Sequence, residues 1–201
     1  MMNEYNPDGK DIRFIDSHYK DLFRIPDGSC IQIEYPNETV VKPCKFIDEY
    51  HTQICNNVFH ICQFAEIMER NGASYMAEPE IMGEEAAWKV GRDRILAVQT
   101  CEDGYDYTLF DEHYNEIDGG QVDNPDMSMI EVRQDILESF NLTHRELRAM
   151  VYEDVMEQAF EVDKQAVASF NAKESVMDKL AEAAGKVISS SPSHKHKEAE
   201  R

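Results

Sequence analysis

The sequence predicts an α+β protein: two small antiparallel β-meander plus helix units, followed by C-terminal helices. Three observations carry this. Apolar and polar residues alternate in short runs bounded by Gly, Pro and Asn in two separate blocks, which is the signature of half-buried strands. Each block is followed by apolar residues at spacings of three and four, at 59–68 and 129–140. From residue 143 to 188 the apolar spacing is helical.

Residues 1–77 form the first unit. Ile12 to Ile15 and Leu22 to Ile25 read as strands, the second ended by the turn Pro26-Asp27-Gly28-Ser29. Cys30 to Tyr35 alternates and is expected to pair back across that turn. Pro36-Asn37-Glu38 turns into Thr39 to Lys42, where Pro43 predicts an edge strand or a bulge. Lys45 to Asp48 continues this run, and His51 to Cys55 adds a last short strand. A helix over Phe59, Ile61, Cys62, Phe64, Ala65, Ile67 and Met68 follows, closed by Gly72.

Residues 78–93 are a connector in which Gly83 to Val90 reads as a short helix, with Trp88 packing it onto a sheet. Residues 94–163 form the second unit. The run Ile95-Leu96-Ala97-Val98, the turn Glu102-Asp103-Gly104 and the alternating Tyr105, Tyr107 and Leu109 make a hairpin. A short strand at Glu116 to Asp118 is stopped by Gly119-Gly120. Ser128 and Glu131 are spaced as a capping box, so a helix starts there and turns Met129, Val132, Ile136, Leu137 and Phe140 toward the sheet. Thr143 and Glu146 repeat that spacing and predict a helix containing Leu147, Met150 and Val151. Residues 164–188 read as an amphipathic helix, and the polar residues 189–201 as a disordered tail.

Of 201 residues, 42% are hydrophobic, enough for a core, and 30% are charged. The N-terminus has neither a basic nor an apolar leader region, and no apolar run is long enough to span a bilayer, so a cytoplasmic protein is expected. The net charge is −20. Residues 101–163 hold 3 basic and 18 acidic side chains, giving −15 in less than a third of the chain. Such a field repels phosphate and disfavours direct contact with nucleic acid or an anionic membrane, and it draws in a basic protein surface. The candidate partner-binding face is therefore Asp103, Asp106, Asp111, Glu112, Glu116, Asp118, Asp123 and Asp126. An alternative surface is the apolar stripe of the C-terminal helix, Phe170, Met177 and Leu180.

Catalytic signals are absent by pattern. The sequence contains no phosphate loop, nucleophile elbow, dinucleotide fingerprint or zinc-protease motif. Cys44, His51, Cys55, His60 and Cys62 are metal-ligand types, but their spacing matches neither a finger nor a knuckle. Cys62 with His60 and Cys101 with His113 are the thiol–imidazole pairs that could be argued. The first pair points apart on a helix, and the acidic turn beside the second disfavours a thiolate there. The run from Asp118 to Asp123 does not follow a calcium loop. Neither a metal nor an organic cofactor is expected, and a hydrolase or metal enzyme is the weakest of the readings.

The passages RFIDSHYKDLFRIPDG, FHICQFAEIMERNG and YDYTLFDEHYNEIDGGQVDNPDMSM together resemble the large-polyvalent-protein-associated domains. These are small domains of unknown activity carried by conjugative elements and phages of Firmicutes and related bacteria. The resemblance spans most of residues 12–160, and Tyr107 to Asp111 and Ile117 to Gly120 are its most specific parts. It implies a mobile-genetic-element setting and supplies no catalytic residues. In that setting small acidic proteins often block host defence nucleases. The combined expectation is a non-enzymatic protein binding a basic partner, most sharply an anti-CRISPR-like nucleic-acid mimic. The alternative is an adaptor for conjugation or replication machinery.

Overall fold

The computed structural model describes residues 10–168. Twelve strands and two complete helices are defined there: β1 (Asp11–Ile15), β2 (Asp21–Pro26), β3 (Cys30–Glu34), β4 (Thr39–Phe46), β5 (His51–Ile54), β6 (Asn57–His60), α1 (Ile61–Arg70), β7 (Ser74–Ala77), β8 (Glu85–Val90), β9 (Arg94–Cys101), β10 (Gly104–Asp111), β11 (Glu116–Val122), α2 (Met129–Ser139) and β12 (Leu147–Met150). A third helix, α3, runs from 152 to the last described residue. The fold is α+β with antiparallel pairing throughout. The chain divides after Ala159 into two compact units. In the second, residues 160–168 are helical, and Lys164 Nζ lies 3.1 Å from Glu161 Oε1. Phe170, Met177, Leu180, the rest of the expected 164–188 helix and the 189–201 tail lie outside the described residues.

The first unit is built on a ten-stranded sheet whose main path is β11-β10-β9-β8-β12-β4-β3-β7, with β5 and β6 branching from β4. β1 and β2 form a separate two-stranded ribbon. Alternation along the strands sends their side chains to two faces. Leu96, Val98, Tyr105 and Leu109 meet Met129, Val132, Ile136 and Leu137 of α2. Ile95, Ala97 and Phe110, one residue out of phase, meet Val155 and Ala159 of α3. A separate apolar cluster joins Ile12, Phe14 and Ile25 of the ribbon to Ile31, Ile33 and Val40, with Phe64 and Met68 of α1 closing it.

Five local expectations change, each for a physical reason. Cys30 to Glu34 does not pair back onto β2. The ribbon is closed earlier, by the Asp16 carboxylate accepting the His18 and Lys20 N–H groups, and β3 pairs β4 and β7 instead. Phe59 lies in β6, and α1 begins at Ile61 because the His60 ring nitrogen accepts the Cys62 N–H and caps it. Gly83 to Val90 is not a helix: Glu85–Val90 is strand β8, its helix-favouring Glu and Ala residues overruled by partners on both sides. β11 runs through Gly119-Gly120 to Val122, because the Tyr107 ring fills the place a Gly120 side chain would take.

The fifth change has the largest consequence. Thr143 to Met150 does not start a helix, and Leu147–Met150 is strand β12, which slots between β8 and β4. Leu147, 1% exposed, stands opposite both Val90 and Val41 and makes one sheet out of two halves. Pro43 fits the same construction. Cys44 sends its N–H to Ser29 on the β3 side, so position 43 faces the other side, where β4 changes partner from β12 to β5. The N–H that proline lacks is not called for there.

Candidate functional site: the acidic free edge

The β10–β11 hairpin carries most of the acidic candidates. Glu102 and Asp103 form a two-residue turn between Cys101 and Gly104, which pair across it. Gly104 has φ +152, and a Cβ there would lie 2.1 Å from the Val122 carbonyl oxygen, so only glycine lets the strands close this end. At the other end the Asp111 carboxylate accepts the His113 N–H (2.8 Å), the Asn115 N–H (3.0 Å) and the Asn115 side-chain amide (2.9 Å). The Asn115 side-chain bond, followed by the two backbone bonds, holds the Asp111 pKa below its ordinary value.

The register places the eight acids. Asp103 lies at one end of the hairpin, beside the loop bearing Asp123 and Asp126. Asp111, Glu112 and Glu116 lie at the other end. The two ends are separated by the eight residues of β10, roughly 24 Å at strand rise. Between them Asp118 is on the α2 face, where it accepts the Tyr107 hydroxyl at 2.8 Å, and Asp106 is on the α3 face. The acids thus form an edge that shows charge on both sides, rather than one flat face. Asp111 is committed to its turn, whereas Glu112, Asp123 and Asp126 are exposed; Glu112 has the His113 ring 3.8 Å away, and among the described residues Asp123 and Asp126 make no hydrogen bond through their carboxylates.

Tertiary structure adds acids that spacing did not connect. Glu85 of β8 shares a hydrogen bond with Glu153 in the first turn of α3. Local desolvation, that bond and the Glu153 charge raise the Glu85 pKa. Tyr152 donates to Gln99 Oε1 at 2.5 Å nearby, its pKa raised by burial and then by Glu85 and Asp106. Residues 85, 106 and 153 are too far apart in sequence for any motif to link them.

The cysteine and histidine candidates do not converge. His51 and His60 face each other at one end of the β5–β6 hairpin, and Cys55 sits at its turn, beyond Ile54 and Asn57. His51 Nδ1 lies 2.9 and 3.0 Å from the two Asp48 oxygens, and His60 stacks on Tyr50. Among the described residues, no group of three or more His, Cys, Asp or Glu is placed to hold a metal ion. All five cysteines are free thiols. Burial pushes Cys30 up to about 12 and Cys55 up to about 11, and raises Cys44 as well, which disfavours the nucleophilic thiolate. Cys101 and His113 lie at opposite ends of β10.

An open groove of about 710 Å³ is lined by Lys42, Cys55, Arg92, Asp93, His144, Arg145, Glu146 and Arg148 among others. Most of its cations are already paired: Lys42 and Arg148 with Glu146 (2.8 and 2.7 Å), Arg148 with Glu38 (3.0 Å) and Arg145 with Asp93. It is an ion-pair seam along β12. Among the described residues no helix is long and apolar enough to cross a membrane.

Neither the curated proteins nor the solved structures contain a match to this chain. The family description of large polyvalent protein-associated domain 16 matches residues 82–161. That range takes in β8 to β11, α2, β12 and the start of α3, and leaves the N-terminal passages outside it. The segment built around the acidic hairpin, residues 82–161, belongs to the large polyvalent protein-associated domain family.

Proposed function

We propose that this chain is a mobile-element protein that acts by binding a basic protein partner along the acidic β10–β11 edge. The polyvalent-protein domain supports the mobile-element setting. The observation that carries the binding reading is the charge of the hairpin. From Asp111 to Asp126 there are six carboxylates and no Lys or Arg, at the free end of the sheet. In its sharpest form the partner is a host defence nuclease, such as a CRISPR effector, whose nucleic-acid groove is occupied by the carboxylates. The span of roughly 24 Å between the two acidic ends of β10 suits an elongated basic groove.

The test is affinity capture from a bacterial host with an active CRISPR system, across a salt series, with partners identified by mass spectrometry. The expected result is a nuclease effector that is lost as salt rises and competed by guide RNA or DNA. Glu112→Gln, Glu116→Gln, Asp118→Asn and Asp123→Asn together should release it. Binding unaffected by these four changes overturns the acidic reading. Capture of relaxase or replication proteins, indifferent to nucleic acid and salt, replaces it with the adaptor reading.

A further inference from the structure

We infer that β11 is an open sheet edge that takes up an extended basic segment of the partner as an additional strand. This rests on the acidic-partner reading above and specifies how the partner is held. The argument starts from hydrogen-bond parity. Cys101 and Gly104 flank a two-residue turn and therefore form a hydrogen-bonded pair. Alternation then directs the N–H and C=O groups of Gly104, Asp106, Thr108 and Phe110 to β9, and those of Tyr105, Tyr107 and Leu109 to β11. Their partners Val122, Gly120 and Asp118 point back to β10. The backbone groups of Gly119 and Gln121 consequently point outward, away from the sheet.

No described element covers that side. β11 ends the sheet, Glu116, Ile117, Gly119, Gly120 and Gln121 are exposed, and Ile117 shows 46% of its surface. Edge strands are normally blunted by lysine, proline or shortness. β11 has seven residues and neither Lys nor Pro, and its one β-bulge lies at its start, opposite Leu109 and Phe110, which leaves Asp118 to Val122 in regular register. Its protection is acid and glycine, which act differently on different partners. Two copies of this edge would bring two sets of carboxylates together and repel each other. A strand bearing Lys or Arg meets Glu116 and Asp118 favourably, and the bare backbone at Gly119-Gly120 lets it approach. Main-chain bonds then supply affinity and the flanking acids supply selectivity.

The test uses the full chain, isotopically labelled, and a short synthetic peptide of alternating Lys and Val residues. Adding the peptide should slow hydrogen exchange at the Gly119 and Gln121 amides. Gln121→Pro removes one outward N–H and should weaken binding about tenfold, while Gln121→Ala keeps it and should stay within about threefold. N-methylating alternate peptide amides on the untouched protein should abolish the protection. The inference is overturned if exchange at both amides is unchanged by peptide, or if proline and alanine variants bind alike. It is equally overturned if both amides are already protected in the free protein, since a segment of this chain or a second copy then occupies the edge. Binding lost on Glu116→Gln with Asp118→Asn but not on Gln121→Pro removes strand addition alone and leaves the acidic reading standing.

Discussion

β7 and β11 are the two end strands of one sheet, and the chain finishes them in opposite ways. β7 has four residues and no charged side chain. Its Tyr75 is set among the Phe14, Phe23 and Phe64 rings and donates its hydroxyl to the Ile15 carbonyl, so the β1–β2 ribbon pins this end. One residue beyond β7, Glu78 enters a buried ion pair with Arg133 of α2, at 2.6 and 2.7 Å. The Arg133 side chain is 1% exposed, and its guanidinium lies 5.2 Å from the Trp88 ring centroid. Burial works against that charge, and the hydrogen bonds and charge of Glu78 more than offset it, raising the Arg133 pKa. β11, by contrast, is longer and has nothing described against its outer side. One edge is closed by packing and a lock; the other is bordered by acid and, among the described residues, left uncovered.

Breaking the lock should have the largest effect. Arg133→Ala leaves the Glu78 carboxylate buried without its partner and should cost about 3–5 kcal/mol, read from denaturant unfolding. Replacing both, as Glu78→Leu with Arg133→Met, should cost much less, because no charge is then stranded. At the open edge the most sensitive position is the turn. Gly104→Ala should destabilise by about 1–3 kcal/mol, since its backbone conformation and the Val122 carbonyl both exclude a side chain. The same melts should show the larger loss for the lock.

The loop between the open edge and α2 offers a smaller effect. Ser128 Oγ accepts the Glu131 N–H while the Glu131 carboxylate accepts the Ser128 N–H at 2.7 Å. Ser128→Ala should cost about 1 kcal/mol of thermal or chemical stability. Acid should loosen the far turn of the hairpin. The Asp111 pKa is lower folded than unfolded, so its contribution is complete above the ordinary carboxylate range, about pH 4. It is lost as pH falls through the lowered folded value. A carboxyl-carbon NMR titration should place the Asp111 midpoint below that of an unstructured aspartate, and Asp111→Asn should remove this part of the pH dependence. The smallest change is expected at the edge acids themselves. Glu116→Gln with Asp118→Asn should alter stability by no more than about 0.5 kcal/mol while weakening partner binding, which separates what holds the edge from what it is for.

Where one local rule governed, the sequence could be read directly. The capping box at Ser128 and Glu131 started α2 where spacing placed it, and the β9–β10 hairpin formed about Glu102-Asp103. The charge concentration in 101–163 is likewise a property of the sequence alone. What escaped were the elements whose local pattern favours one structure and whose distant partners impose another. Leu147–Met150 carries a helix-like prelude and becomes a strand because a slot exists between β8 and β4. Glu85–Val90 does the same against β9 and β12.

Composition and local pattern by themselves determined the α+β class, the turns, the start of α2 and the sign and place of the excess charge. These depend on neighbours within a few residues or on no neighbours at all. Only tertiary structure decided that two meanders fuse through β12 into one sheet, that Arg133 is buried against Glu78, and that the acids border the end strand of that sheet. Strand pairing and burial join residues some 50 positions apart, as with Glu78 and Arg133. A chain fixes such neighbours by the joint packing of all its segments, so no single segment announces them.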